Sequence, residues 1–346
     1  IFTISPYSVW AWIITFAALD FSGYWIHRWS HRSNFLWQTH LVHHSSEEYN
    51  LAVALRQSTS SLFEYSGFLL IPAAIMGVPP EMIAVGGFIH LYMQYWYHTQ
   101  LINKMGFLDK IIVTPTHHRV HHAMNPEYMD RNFGQIFMVW DHLFGTFQKE
   151  LDDVPPVYGI TVPVQTWNPF KIDYMHWWSM LKDTWRADKW MDKLNVWIRT
   201  TGWRPVDHDE KYPLGKVEDT SQLKKYSTEI SFSLKLWSFF EVALVAYPLT
   251  MLFFWMLSQG ISLEEKVLFA AFSLFSIFTY TTSMEGKSTR FLNTLRLFFS
   301  VGIILLSANN NFSFNLLTYP LTPVILGFYS ISTILSFLRL EKRQIV

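Results

Sequence analysis

Five of the chain's 14 histidines fall within "HRWSHRSNFLWQTHLVHH" (27–44), at spacings that suit metal coordination. His27 and His31 are four apart, and His40, His43 and His44 stand at i, i+3 and i+4. A second triplet, His118, His121 and His122 in "HHRVHH" (117–122), repeats that spacing. On a helix, residues three and four apart share a face, so each set presents its imidazoles together. His98, in "YWYHTQLI", lies between the sets near the end of an apolar stretch. A lone buried histidine is usually a satisfied core residue. Nine unliganded rings would leave many nitrogens without partners, at roughly 1–3 kcal/mol each. The chain has no cysteine, which excludes disulfides, thiolate nucleophiles, iron–sulfur clusters and Cys-type zinc sites. Nine nitrogens exceed the four that one tetrahedral zinc takes, which points to two metals. Imidazole suits iron, zinc, copper and nickel alike, so spacing does not choose the element.

The elements that must position these rings are greasy. Of 346 residues, 50% are hydrophobic, 18% aromatic and only 16% charged. Soluble domains usually carry about a quarter charged residues. The formal net charge of zero gives no reason to expect nucleic acid. A bilayer core of about 30 Å needs roughly 20 apolar residues in a helix. Stretches near that length run from 9–26, 59–78, 81–102, 236–258, 264–283, 291–307 and 316–338. Alternating these seven spans places 26 of the 27 Lys/Arg on the side where the histidines emerge, with only Lys266 opposite, as the positive-inside rule requires of a cytosolic face. The expected fold is therefore an all-α integral membrane protein. About seven transmembrane helices would carry a cytosolic-face helical cap with a histidine-bound dimetal site. The chain opens on Ile1 rather than Met, so an earlier span or signal cannot be judged from it.

Outside the spans, 174–203 mixes tryptophans with Lys and Arg. It suits either a helix lying in the headgroup region or one packing its Trp face on the catalytic layer. Residues 202–225 read as a polar, proline-bearing linker. Ligating histidines usually pass their other N–H to a carboxylate or carbonyl. Asp20, two turns before His27, and Asp141 are the expected outer partners, with Asp130, Glu47 and Glu48 also near in sequence; the two glutamates read rather as helix-end solvation. His117 falls about 100° round a helix from His118 and is expected behind the ligands. His90, about 12 Å deeper than His98 at 1.5 Å per residue, and Gln94 are expected to line a substrate tunnel. His142, His176 and His208 read as structural or exposed.

The order HxxxH, HxxHH, HxxHH resembles the integral-membrane fatty acid hydroxylase/sterol desaturase superfamily. More narrowly, "DFSGYWIHRWSH", "HLVHHSSEEYNLAVALRQS", "TPTHHRVHH" and "WDHLFGTF" are similar to its ether-lipid-cleaving branch, the alkylglycerol monooxygenases. The resemblance covers roughly residues 17 to 170. It implies a di-iron centre on the nine histidines, with O2 as co-substrate, hydroxylating an unactivated lipid C–H bond. At the carbon beside an ether oxygen, the resulting hemiacetal falls apart to fatty aldehyde and glycerol. The layout of spans and polar stretches divides the chain into a histidine-motif core at 1–170, an amphipathic or interfacial helix and linker at 171–235, and a four-span region at 236–346. The catalytic layer would face the cytosol, in a bacterial inner membrane or the endoplasmic reticulum. In that branch the position after the second histidine of HxxxH is acidic and the electron donor is tetrahydrobiopterin. Here that position is Arg32, which cannot accept a hydrogen bond. This leaves a pterin, a ferredoxin or a cytochrome b5-type donor open. A fatty acid or sterol hydroxylase or desaturase is the alternative on the same scaffold. A membrane metal transporter would place its polar ligands at the bilayer midplane rather than at span ends.

Overall fold

The computed structural model describes residues 3–63, 67–257 and 262–308, together with 327, 330, 331, 333 and 334. The chain divides into two compact units, Ile1–Gln165 with Ile172–Lys225, and Thr166–Lys171 with Tyr226–Val346. Among the described residues there is no β-strand, only two isolated bridges.

The first unit is built on α1 (Val9–Arg32) and α2 (Asn34–His44). A single residue, Ser33, separates them: its N–H bonds the Trp29 carbonyl to end α1, while its hydroxyl accepts the Leu36 N–H to start α2. One residue serving as both caps forces an abrupt corner. That corner is pinned from outside, because Asn34 donates to the Val196 carbonyl at 2.6 Å and accepts the Gly202 N–H at 3.1 Å. The chain continues through the short α3 (Ile71–Ile75), α4 (Pro80–Tyr92), α5 (Pro115–His122) and α6 (Val139–Leu143). It closes with α7 (Pro169–Arg186), α8 (Trp190–Ile198) and α9 (His208–Lys211).

Two of the expected spans are not single membrane-length helices. Residues 59–78 break into 3-10 turns at Thr59–Phe63 and Gly67–Leu70 before α3. Gly77, with φ 87°, ends the stretch after α3, while Pro72 and Pro80 sit in the first turns of α3 and α4, where proline starts a helix but cannot continue one. α4 has 13 residues, about 20 Å at 1.5 Å per residue, which is short of a bilayer core. These short elements still expose Phe68, Ile71, Ile75, Val85, Phe88 and Leu91. Their composition is membrane-like although their length is not.

The tryptophan-rich segment packs one side on the histidine-bearing layer and leaves other tryptophans exposed. Gln38 of α2 donates to the Asp173 carbonyl and accepts the His176 N–H, so α7 packs on the histidine-bearing helix. Trp178, Trp185 and Trp190 remain exposed on the outer side. Behind them Asp183 accepts from Arg204 at 2.7 and 2.9 Å and pairs with His208 at 3.1 Å, a structural role for that histidine.

The second unit contains α10 (Phe232–Leu257), α11 (Leu263–Met284) and α12 (Arg290–Ala308). Two described helical stretches are long and apolar enough to cross a membrane by length and composition, Val9–Arg32 and Lys266–Met284. The expected span at 316–338 lies outside the described residues apart from the five positions named above. α10 and α12 are joined by a buried bidentate ion pair, with Arg296 donating to both Glu241 oxygens at 2.9 Å and to Thr333 at 2.9 Å.

Candidate metal centre

The Ser33 corner turns the last two turns of α1 toward the last two turns of α2, so His27 and His31 meet His40, His43 and His44. α5 enters from a distant part of the chain. Pro115 sits in its first turn, where a missing N–H costs nothing. Thr114 and His117 form a capping box, with the Thr114 N–H bonding His117 Nδ1 at 3.3 Å. Arg119 points the other way, into Glu150 at 2.7 and 3.0 Å and the carbonyls of Thr99 and Ile102. That anchors α5 with His118, His121 and His122 facing α2. His98 follows α4 in a run of turns, and its Nδ1 bonds the Gln94 carbonyl at 3.0 Å.

The nine rings sort into two groups. His27, His31, His40, His44 and His121 offer nitrogens within 4.8 Å of one another, and so do His43, His98, His118 and His122. Each HxxHH motif is split between them. In α2 the i, i+4 pair His40 and His44 serves the first group and His43 the second. In α5 the pair His118 and His122 serves the second group and His121 the first. On a helix i+4 lies about 40° to one side of i and i+3 about 60° to the other, so one triplet addresses two adjacent centres. His44 and His122 stack at the seam, ring centroids 4.3 Å apart.

The donor set fits metal ions. Within the second group Nε2 of His98 is 2.9 Å from that of His118 and 3.3 Å from that of His43, and His118 to His122 is 3.1 Å. In the first group His31 and His44 approach to 3.2 Å. Ligand nitrogens about 2.1 Å from a shared ion stand about 3.0–3.4 Å apart at right-angled to tetrahedral geometry, which matches these separations. Nε2 of His27, His40 and His121 is buried with no hydrogen-bond partner. Such orphaned acceptors are costly unless a cation uses them. Burial first, and the neighbouring imidazoles second, hold His40, His44, His118, His121 and His122 well below the usual histidine range. Burial and His98 do the same for His43. These six rings are thereby favoured as neutral lone-pair donors, as metal ligands must be.

The outer nitrogens are oriented chiefly by backbone. His27 Nδ1 bonds the Phe133 carbonyl at 2.9 Å and His121 Nδ1 the Arg131 carbonyl at 2.9 Å. His31 Nδ1 lies 3.5 Å from Asp130, the carboxylate nearest a cluster ring in these contacts. The expected outer partners act one step further back. Asp141 touches no cluster histidine. It accepts the N–H groups of Phe133 (2.8 Å) and Gly134 (2.7 Å) and the Thr146 hydroxyl (2.7 Å), and so holds the loop whose carbonyl orients His27. Gly134 has no room for a side chain, since a Cβ there would meet Asp141 Oδ2 at 2.8 Å. Asp20 accepts from Ile136, Phe137, Trp140 and His90 rather than from a cluster ring. His117 caps α5. The carbonyl partners left no sequence signal, because every residue has one. Thr146 stands inside the quoted "WDHLFGTF" motif and could have been read as a partner for Asp141.

A cavity of about 760 Å³ reaches His27, His40, His43, His98 and His118. Its remaining wall includes the exposed apolar residues Leu55, Phe88, Leu91 and Tyr92. Gln94 lines it as expected, whereas His90 lies behind Gln94, bonded to Asp20. His142 is exposed, and His176 bonds the Asn34 carbonyl at 2.9 Å.

Residues 12–146, which contain all nine histidines, match the model of the fatty acid hydroxylase family. The chain is 37% identical over 244 residues to alkylglycerol monooxygenase of Homo sapiens, covering 68% of this chain and 54% of that protein. It is 39% identical over 216 residues to the Danio rerio alkylglycerol monooxygenase, covering 62% and 47%. Ornithine lipid hydroxylase OlsE of Rhizobium tropici is 28% identical over 143 residues, 41% of this chain and 43% of that protein. The chain spans about half the length of the curated alkylglycerol monooxygenases it matches. No solved structure matches it.

Proposed function

We propose that this chain, which belongs to the fatty acid hydroxylase family over residues 12–146, is an oxygen-dependent membrane enzyme that hydroxylates a lipid C–H bond. It would hold two iron ions, one on each histidine group. Its foremost substrate would be an ether lipid, attacked at the carbon beside the ether oxygen and released as fatty aldehyde and glycerol. The observation that carries the reading is the pairing of two buried imidazole groups with one largely apolar cavity. Bound iron would supply activation of O2, chemistry that no side chain in the cavity can perform. The protein's part is to hold the rings, orient the lipid chain and keep water away.

Support for a lipid substrate comes from the wall of exposed Leu55, Phe88, Leu91 and Tyr92, which would open the cavity to acyl or alkyl chains. Val9–Arg32 and Lys266–Met284 would anchor the chain in the bilayer, with the histidine layer on the cytosolic side. The printed names of the alkylglycerol monooxygenase relatives favour the ether substrate. The name of the ornithine lipid hydroxylase favours simple hydroxylation on the same scaffold as the second reading.

The test is reconstitution of the purified chain with Fe(II) without oxygen, then addition of O2, an alkylglycerol and a reductant. Tetrahydropterin and reduced ferredoxin are run in parallel, because Arg32 leaves the donor open. Fatty aldehyde is the expected product, with about two irons per chain. Absence of oxygen uptake with an ether lipid, a fatty acid and a sterol under both reductants would overturn the proposal.

A further inference from the structure

The cavity wall carries three carboxamides, Gln57, Gln94 and Gln135, and the last two are held by one buried acid. Asp20 is fully buried and accepts four N–H groups. One is His90 Nε2 at 3.0 Å. A carboxylate only accepts, so the proton on that ring sits on Nε2 and Nδ1 is left as an acceptor. Gln94 Nε2 meets His90 Nδ1 at 3.0 Å, which fixes the amide with its nitrogen toward His90 and its oxygen on the other side. Two further Asp20 contacts, the N–H groups of Ile136 (2.8 Å) and Phe137 (3.3 Å), secure the backbone directly after Gln135. The Gln135 side chain lies flat on α1 at Gly23, where a Cβ would meet its Cγ at 2.9 Å. Both glutamines also sit in segments that orient cavity-facing ligands. The Gln94 carbonyl takes His98, and Phe133, two residues before Gln135, takes His27.

Among the described residues, the cavity's lining contains no Lys, Arg, Asp or Glu. A carboxylate or phosphate seated against the two amides would be desolvated with no charged side chain beside it, which is strongly unfavourable. An uncharged hydroxyl needs one acceptor and one donor, and a carboxamide supplies both. We propose that Gln94 and Gln135 form a recognition site for the uncharged, hydroxyl-bearing end of a lipid. Asp20 and His90 are the positioning residues that hold the two amides in place. The inference deepens the lipid-oxidation reading and rests on it for the nature of the chain admitted.

The test is equilibrium binding to the full chain in lipid nanodiscs, by displacement of a radiolabelled hexadecyl glycerol ether. The competitors are the same ether with both hydroxyls methylated, and palmitic acid. The wild-type protein binds the free diol about tenfold tighter than the methylated ether, and palmitic acid weakly. Gln94→Leu and Gln135→Leu each lower affinity for the diol roughly three- to tenfold and leave the methylated ether unchanged. His90→Leu narrows the same ratio while the metal content stays at the wild-type level. Iron content checks that each variant is folded, and the two glutamine variants test the site independently. Equal affinity for the two ethers in the wild-type protein, or an unchanged ratio in both glutamine variants, would overturn the inference. Selective binding without turnover would overturn the oxidation reading and leave the hydroxyl site standing.

Discussion

Asp141 offers the sharpest test of how the histidine groups are held. Its two oxygens accept the Phe133 and Gly134 N–H groups and the Thr146 hydroxyl, and the side chain is fully buried. Asp141→Asn keeps the shape but offers only one accepting oxygen, so its amide nitrogen must face one of the two backbone N–H groups. An unsatisfied buried donor costs roughly 1–3 kcal/mol. The surviving bonds also lose their charge assistance, about half their strength. Together these loosen the 133–134 loop by about 2–4 kcal/mol. The loop's carbonyl orients His27 at 2.9 Å, and only the five-histidine group contains His27. Losses of outer-shell support typically weaken metal affinity about 10–100-fold. The expected result is a selective one. During dialysis against a graded chelator, with iron measured by mass spectrometry, the variant releases one iron at concentrations where the wild-type protein keeps two. Retention of both at wild-type affinity would refute the link from Asp141 through Phe133 to His27.

Three further outcomes follow from the same geometry. His40→Ala should deplete the five-histidine group and His43→Ala the four-histidine group, each leaving the other loaded, as read by Mössbauer spectra of the iron-57 proteins; loss of both ions from either variant would contradict the split of HxxHH. The clustered histidines stay neutral in the fold at pH values well below the usual histidine range, whereas the unfolded chain protonates them near about 6.5. Below that pH the unfolded state binds more protons, so the metal-free protein should lose thermal stability on acidification and the loaded protein should release metal; a melting temperature that rises from pH 7 to 5 would show the sign to be wrong. In the second unit, Arg296→Leu removes the bidentate partner of buried Glu241 and should cost about 3–5 kcal/mol, with the Arg296→Leu, Glu241→Leu double variant recovering most of it, measured by detergent-titrated unfolding.

Much of the site was legible in the residue spacing. His27/His31 and the two HxxHH triplets are local patterns, and helix geometry alone puts each set on one face. His98 had no such pattern and was read from its place at the end of an apolar stretch; the structure sets it 2.9 Å from His118. The outer partners were misread for a physical reason. Asp20 and Asp141 are buried acids close in sequence to the ligands, but both act through the 133–140 segment, and the groups that finally touch the rings are carbonyls without side-chain identity. The expected spans at 59–78 and 81–102 are not single long helices in the structure. Hydropathy counts apolar residues and does not fix where a helix stops, and here those residues form short turns and a 13-residue helix.

What the sequence determined by itself was the chemistry available: imidazole as the candidate metal donor, no thiolate, and a chain rich in apolar residues. It also determined that each triplet shares one helical face, because that follows from 3.6 residues per turn. Tertiary structure decided which ring joins which group, since that depends on how α2 and α5 approach after the Ser33 corner and the Arg119–Glu150 anchor have oriented them. It alone decided that His90 serves Gln94 rather than the cavity. Contacts between residues 70 positions apart, such as Asp20 and His90, are set by packing and leave no periodic trace in the chain.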